Sequence, residues 1–389
     1  MRRIRLTVPT LLTLLTCLTP RPVFAQEAQW MLMTDARVFA GFNDQQRKFT
    51  DITAWESQNW FMLDGMRHTE RTRLHLKGMF SLEPFTMKHL GSPQVFQTGE
   101  SYHGAPLIDY QHPHDLFMGL GASYEISRGP MGYTLEVDAV GSPALGPTAF
   151  MHRASARDNP QAPLSHHALD STHVTPGVVR AEVSRGAIAL DASVFTGREP
   201  DDNRTNIDRP DLDSWSARGT FTSGPWKAQV SGAHIHQPEL FEPFDITRLT
   251  ASAEFDGVQL KRPFAFTAAW GENREVHGIM DNYLLEWEWS ILAHGSTYGR
   301  LEFTPKDILD LGTPSPPGFP DFHRISHVDA LTIGYIHDVF NHGGHFGLGA
   351  DATVYRISED LQDSYGSPHS FHLFVRWRPS NSMSGMAMN

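Results

Sequence analysis

The chain has 389 residues, 40% of them hydrophobic, with 44 acidic against 32 basic side chains and a formal net charge of −12 at pH 7. That balance argues against nucleic acid as a partner, because binding phosphates needs a basic surface. No run after the N-terminal segment approaches ~18 consecutive apolar residues, which excludes a bundle of membrane helices but not a membrane barrel, whose strands alternate apolar with polar.

The N-terminus carries Arg2, Arg3 and Arg5, an apolar run from Leu6 to Leu18, and Val23-Phe24-Ala25 before Gln26. A charged start, a short apolar core and a small residue at the cut site form a secretory signal, and the run is too short to span a bilayer. The predicted division is a signal peptide over 1–25, a barrel over 26–378 and a flexible Met-containing tail over 379–389. Losing Arg2, Arg3, Arg5 and Arg21 lowers the basic count from 32 to 28 and takes the charge to about −16. The single cysteine, Cys17, leaves with the signal, so no disulfide framework is expected despite export.

Beyond the signal, two-residue alternation recurs. Tyr133 to Ala139, Phe264 to Trp270, Leu285 to Ile291 and Phe371 to Trp377 each place apolar and polar side chains on opposite faces, as a strand must. In the third of these, Glu286, Glu288 and Ser290 face away from Leu285, Trp287 and Trp289, the pattern of a wet lumen backed by lipid. Short turns fall at 127–130, 184–186, 223–225, 293–295 and 341–344, rich in Gly, Pro, Ser and Asn. Long irregular connections fall at 83–114, 141–173, 197–213, 235–246, 272–282, 305–326 and 359–369. Short and long connections alternate, and counting through them gives about sixteen strands with both termini on the short-turn side. The fold class is therefore all-β: a transmembrane antiparallel up-and-down β-barrel with short periplasmic turns and long external loops, its outer face against outer-membrane lipid. A soluble multi-sheet protein of the periplasm is the alternative.

Two of the long connections concentrate histidine. The first contains GESYHGAPLIDYQHPHDLF, with His103, Asp109, His112, His114 and Asp115. Pro113 disfavours helix at His112, so His112 and His114 lie two apart on an extended segment and project the same way. The second carries His152, His166, His167 and His173 with Asp158 and Asp170. Brought together in a barrel mouth, these imidazoles and carboxylates form a candidate transition-metal site. The competing role is structural, since buried imidazoles hydrogen-bonded to carboxylates and carbonyls also hold polar loops folded. Ser165, His166, Ser171 and His173 contain the atoms of a hydrolase without the spacing of an elbow, a triad or a zinc-hydrolase motif, so catalysis ranks third. The 197–213 connection mixes acids with arginines, lacks the pattern of a calcium loop, and reads as a solvated external loop. Met383, Met386 and Met388 in the tail offer thioethers of the kind that suit Cu(I).

The segments GESYHGAPLIDYQHPHD, GSPALGPTAFMHRASARDNPQAPLSHHALDSTH and FTGREPDDNR together resemble a group of barrel-like proteins exported by Gram-negative bacteria, the likeness being densest between Phe80 and Arg204. That resemblance implies the outer membrane and the barrel, and no activity. The expected function is a porin-like channel for small solutes or ions, not an enzyme, with histidine-bearing loops at its mouth and copper or another transition metal as ligand. An outer-membrane hydrolase with a loop histidine as base, or a surface binding protein anchored by its barrel, are the competing readings.

Overall fold

The computed structural model describes residues 30–240, 243–307, 325–341 and 343–380. The expected signal peptide and the methionines of the tail lie outside the described residues, as does most of the 305–326 connection. Sixteen barrel strands are formed among the described residues: β1 (Trp30–Arg47), β2 (Thr50–Glu56 continued by Asn59–His68), β3 (Thr72–Phe80), β4 (Phe117–Arg128), β5 (Met131–Gly141), β6 (Thr175–Arg185), β7 (Ile188–Phe195), β8 (Ser214–Ser223), β9 (Trp226–Ile235), β10 (Ile246–Gln259), β11 (Arg262–Glu275), β12 (Gly278–Trp289), β13 (Gly295–Lys306), β14 (Ser326–Phe340), β15 (His345–Ile357) and β16 (His369–Arg378). Each pairs antiparallel with its chain neighbours, and β16 returns to β1 in the register Val38↔Trp377 to Gln46↔His369, closing the sheet. Closure leaves no strand edge unpaired, which a lipid-immersed sheet requires.

The alternation sorts side chains between an apolar outer face and the lumen. On β12 Leu285 is 39% exposed on the outer face, whereas Glu286 (1%) and Glu288 (6%) point inward. Near the turn end of β9–β12, outward aromatics form a chain, Trp226 to Phe255 at 5.0 Å, Phe255 to Phe264 at 6.0 Å and Phe264 to Trp289 at 6.4 Å between ring centres. Such amphipathic rings suit a membrane–water boundary.

At the turn end Gly129, Gly186 and Gly224 adopt φ of 59°, 58° and 54° in tight hairpins. The β10–β11 hairpin instead places Leu260 (φ 50°) and Lys261 (φ 64°) in the left-handed region. At the loop end one expectation is corrected: 272–282 is no long connection. β11 runs to Glu275 and β12 starts at Gly278, leaving Val276-His277 as the turn. Its polar residues suggest a loop because they face polar protein in the lumen, as when Asn273 Nδ2 donates to the carbonyl of His167 at 3.3 Å. The β1–β2 link at the same end is also short, so long and short connections do not alternate without exception.

Two long connections fold inward. Segment 142–174 meets the wall strand by strand: Ala144 N donates to Ser193 Oγ on β7 (3.0 Å), Gly146 N to Ser231 Oγ on β9 (2.9 Å), Thr148 Oγ1 to Glu254 on β10 (2.9 Å) and Arg153 Nε to Glu286 on β12 (2.8 Å). On β13, Arg300 Nη1 donates to the carbonyl of Gln161 at 2.9 Å. Segment 81–116 docks beside it, Gln94 Nε2 donating to the carbonyl of Ala162 at 2.8 Å and Val95 N to Gln45 Oε1 on β1 at 3.0 Å. Apolar pins add to these polar ties. Leu169 packs on Ala269 and Leu284, and Val95 and Phe96 pack on Val328, Ala330 and Tyr365. Each buried side chain of this kind contributes roughly 1.5–3 kcal/mol. Close approach is built into the wall at Gly271, where a Cβ would stand 2.4 Å from the carbonyl of Ala168.

Candidate functional site

The two inward segments meet in the loop half of the lumen, and the meeting is made of imidazoles. Segment 81–116 begins with a helical turn, α1 (Glu83–Thr86), that buries Glu83. Its carboxylate accepts from the Asn59 amide at 3.1 Å and the His114 amide at 2.8 Å, and His114 Nδ1 lies 2.8 Å from the same Oε2. An ionised Glu83 fixes the proton on Nδ1, and His114 Nε2 is buried without a hydrogen-bond partner. Pro113 spaces His112 from His114, the rings 6.4 Å apart, and His112 Nε2 contacts Glu100 Oε1 at 2.7 Å.

From the other side comes α2 (His166–Leu169). Its start is held to β13, with Ser165 N and Oγ both donating to Glu302 Oε1 at 3.0 and 2.8 Å, and Lys306 Nζ donating to the carbonyl of Leu164 at 2.8 Å. His166 Nδ1 lies 2.7 Å from Asp170 Oδ1, whose other oxygen accepts from Arg153 Nη1 at 2.7 Å. His173 Nδ1 donates to the carbonyl of Asp170 at 2.8 Å, and its Nε2 is buried without a partner. The His173 ring stands 5.2 Å from that of His166 and 5.3 Å from that of His114. Phe150 closes one side, 5.4 Å from His166 and 6.1 Å from His114.

His167, next on α2, faces two carboxyls: Nε2 is 3.6 Å from Glu100 Oε1 and Nδ1 3.7 Å from Glu199 Oε1. Among the described residues, Glu100, His167 and Glu199 offer three donor atoms all within 4.8 Å of one another. A small cavity of about 20 Å³ is lined by Glu100, His112, His114, His166, His173 and Glu199, and a second of about 40 Å³ shares His112 and His114 as its wall.

The electrostatics differ ring by ring. Burial pushes the His167 imidazole down to about 3 and holds His173 well below the usual value, aided at His173 by His166 and His114. His112 is also depressed by burial, which outweighs Glu100. His114 is raised: burial opposes protonation there, but the Glu83 carboxylate on Nδ1 prevails. Burial and the adjacent Glu100 hold the Glu199 carboxyl well above the carboxylate range, and burial lifts Asp115 to about 6 against Arg204.

Of the nine residues singled out from sequence, His112, His114, His166, His167 and His173 converge. Asp115 borders them, tied to Arg204 at 3.3 Å. The other three stand apart. Asp109 accepts from the Phe96 amide at 2.8 Å and pairs with Arg47 at 2.7 Å, pinning its loop to β1. His103 sits in an exposed hairpin where its amide donates to Asp202 at 2.8 Å. His152 stacks edge-on against Trp60 at 4.9 Å. Sequence reasoning missed Glu83, Glu100 and Glu199, although Glu100 lies inside the quoted motif. The 197–213 connection is not wholly solvated either: Gly197 N donates to Asp213 at 2.8 Å and Glu199 N to the carbonyl of Pro238 at 3.1 Å, turning Glu199 inward.

No family model and no curated protein matches the chain. Solved structures do. OmpF of Salmonella typhi, solved in complex with daunomycin, is similar over 89% of this chain and 97% of its own, with 9% identity and a TM-score of 0.57. The loop L8 deletion mutant of OmpT, an outer membrane protein of Vibrio cholerae, is similar over 90% and 99%, with 8% identity and a TM-score of 0.51. At such identities the likeness shows the fold alone: this chain is an outer-membrane-type β-barrel.

Proposed function

We propose that the protein is an outer-membrane channel for small solutes or ions, exported by its N-terminal signal and narrowed by its two inward loops, and that the imidazole cluster where they cross binds a transition metal ion, copper by preference. The observation that carries this reading is the set of three histidines, His114, His166 and His173, each with Nδ1 held by a carboxylate or carbonyl. Metal-binding imidazoles are oriented that way, with the second nitrogen free for the ion. Loops that only packed would not need to leave buried Nε2 atoms of His114 and His173 unpartnered. The excess of acidic over basic side chains, 44 against 32, favours cations in the lumen. A hydrolase finds no matching support: Ser165 Oγ donates to Glu302, and Ser171 Oγ accepts from Arg248 Nη1 at 3.1 Å, so among the described residues neither is seen paired with a histidine base.

Planar-bilayer recording tests the proposal. A small, cation-preferring conductance that changes on adding Cu(II), and no longer responds in His112→Ala/His114→Ala, is expected. Absence of any conductance in the reconstituted protein would remove the channel.

A further inference from the structure

We infer that the ion is held by Glu100, His167 and Glu199, a divalent site of oxygen and nitrogen donors that takes Cu(II) or Zn(II) and ties three successive loops together. This rests on the reading of the loops as metal-binding and moves the ion from the imidazole trio to the neighbouring group whose donor atoms, among the described residues, lie close enough together to share it. Each donor comes from a different connection, 81–116, 142–174 and 196–213, and the three atoms already lie within 4.8 Å of one another. The backbone is shaped to receive the ring: at Gly99 (φ 107°) a Cβ would stand 3.0 Å from His167 Cε1 and Nδ1. His167 Nε2 is buried and has no hydrogen-bond partner.

Two carboxyls, hydrogen-bonded to one another, stand beside one imidazole as an oxygen and nitrogen donor set, and Arg204 and Arg248 act on them only through space while bonding other groups. Arg204 pairs with Asp115 at 3.3 Å, and Arg248 donates to Asn273 Oδ1 at 2.8 Å and to Ser171 Oγ at 3.1 Å. Carboxylate and imidazole donors without sulfur suit borderline divalent ions and not Cu(I). His112, on the far side of Glu100 at 2.7 Å, orients that carboxylate as a supporting group.

The test is titration of the full-length refolded protein with Cu(II) alone, followed by calorimetry and by electron paramagnetic resonance, with Cu(I) and Zn(II) as comparisons. Retained heat-modifiable mobility on gels serves as the check that each variant is folded. Glu199→Gln and His167→Ala are expected to weaken Cu(II) binding on the order of 100-fold, with Glu199→Gln also changing the copper spectrum. His114→Ala and His173→Ala are expected to keep most of the affinity. If the second pair abolishes binding and the first spares it, the imidazole trio holds the ion and this inference fails while the metal-binding reading stands. Absence of Cu(II) binding by the unaltered protein overturns both, and Cu(I) bound tighter than Cu(II) overturns the donor assignment.

Discussion

Identical side chains in this lumen have opposite acid–base behaviour, and the cause is the group each touches. His114 donates to the carboxylate of Glu83, His173 to a backbone carbonyl with two other imidazoles alongside. The raised value at His114 means that the folded state binds a proton the unfolded chain gives up. Its stabilisation is complete below ~6.5 and is lost as pH rises through the raised value. The depressed value at His173 works the other way: its neutral form is favoured by folding, and stability drains as pH falls below ~6.5. In chelator-containing buffer His173→Gln should therefore gain stability relative to the unaltered protein between pH 7 and pH 5, while His114→Gln should lose it. Each slope is at most about 1.4 kcal/mol per pH unit, read from urea unfolding in vesicles. Parallel profiles would show that the two rings are not distinguished by their partners. Histidine type and spacing were legible in the sequence, but not which ring meets which acid. Glu83, Glu100 and Glu199 come from separate loop positions, and Asp109 looked as good a ligand as any until Arg47 claimed it.

Strands were the most legible elements, because a period of two with one apolar outer face imposes the same pattern on each. Leu285-Glu286-Trp287-Glu288 shows the rule, and the β11–β12 turn shows its limit. Once protein fills the lumen, polar inward residues at a strand end look like a loop, as Asn273 does beneath the carbonyl of His167. The hairpin at Leu260-Lys261 carries two non-glycine residues at positive φ, where Asn-Gly is the unstrained pair. Leu260→Asn/Lys261→Gly is expected to stabilise the barrel by roughly 1 kcal/mol, visible as a higher urea midpoint. No gain would mean that neighbouring packing, not backbone preference, sets that turn.

For the molecule as a whole, the inward segment 142–174 is bound by charge as well as by apolar pins. Arg153, fully buried, lies between Asp170 at 2.7 Å and Glu286 at 2.8 Å, and Arg300 Nε meets the other oxygen of Glu286 at 2.7 Å. Removing Arg153 strips Asp170 of its arginine and leaves Glu286 with Arg300 alone, a loss of up to about 3–5 kcal/mol. Arg153→Met should therefore loosen the segment and raise single-channel conductance while the barrel stays folded. An unchanged conductance would place the constriction elsewhere. Deeper in the lumen Asp158 pairs with Arg376 on β16, and Arg37 on β1 donates to the carbonyl of Arg157. Those two arginines stand on either side of the seam where the last strand meets the first, a pairing that joins residues as distant as Val38 and Trp377. Contacts of such long range are slow to form, because the entropy of closing the loop is lost before the contact stabilises it. Segment 142–174 cannot complete its docking until both edges of the seam have arrived, so the same residues that narrow the lumen act as an inner clasp on the closing step of assembly.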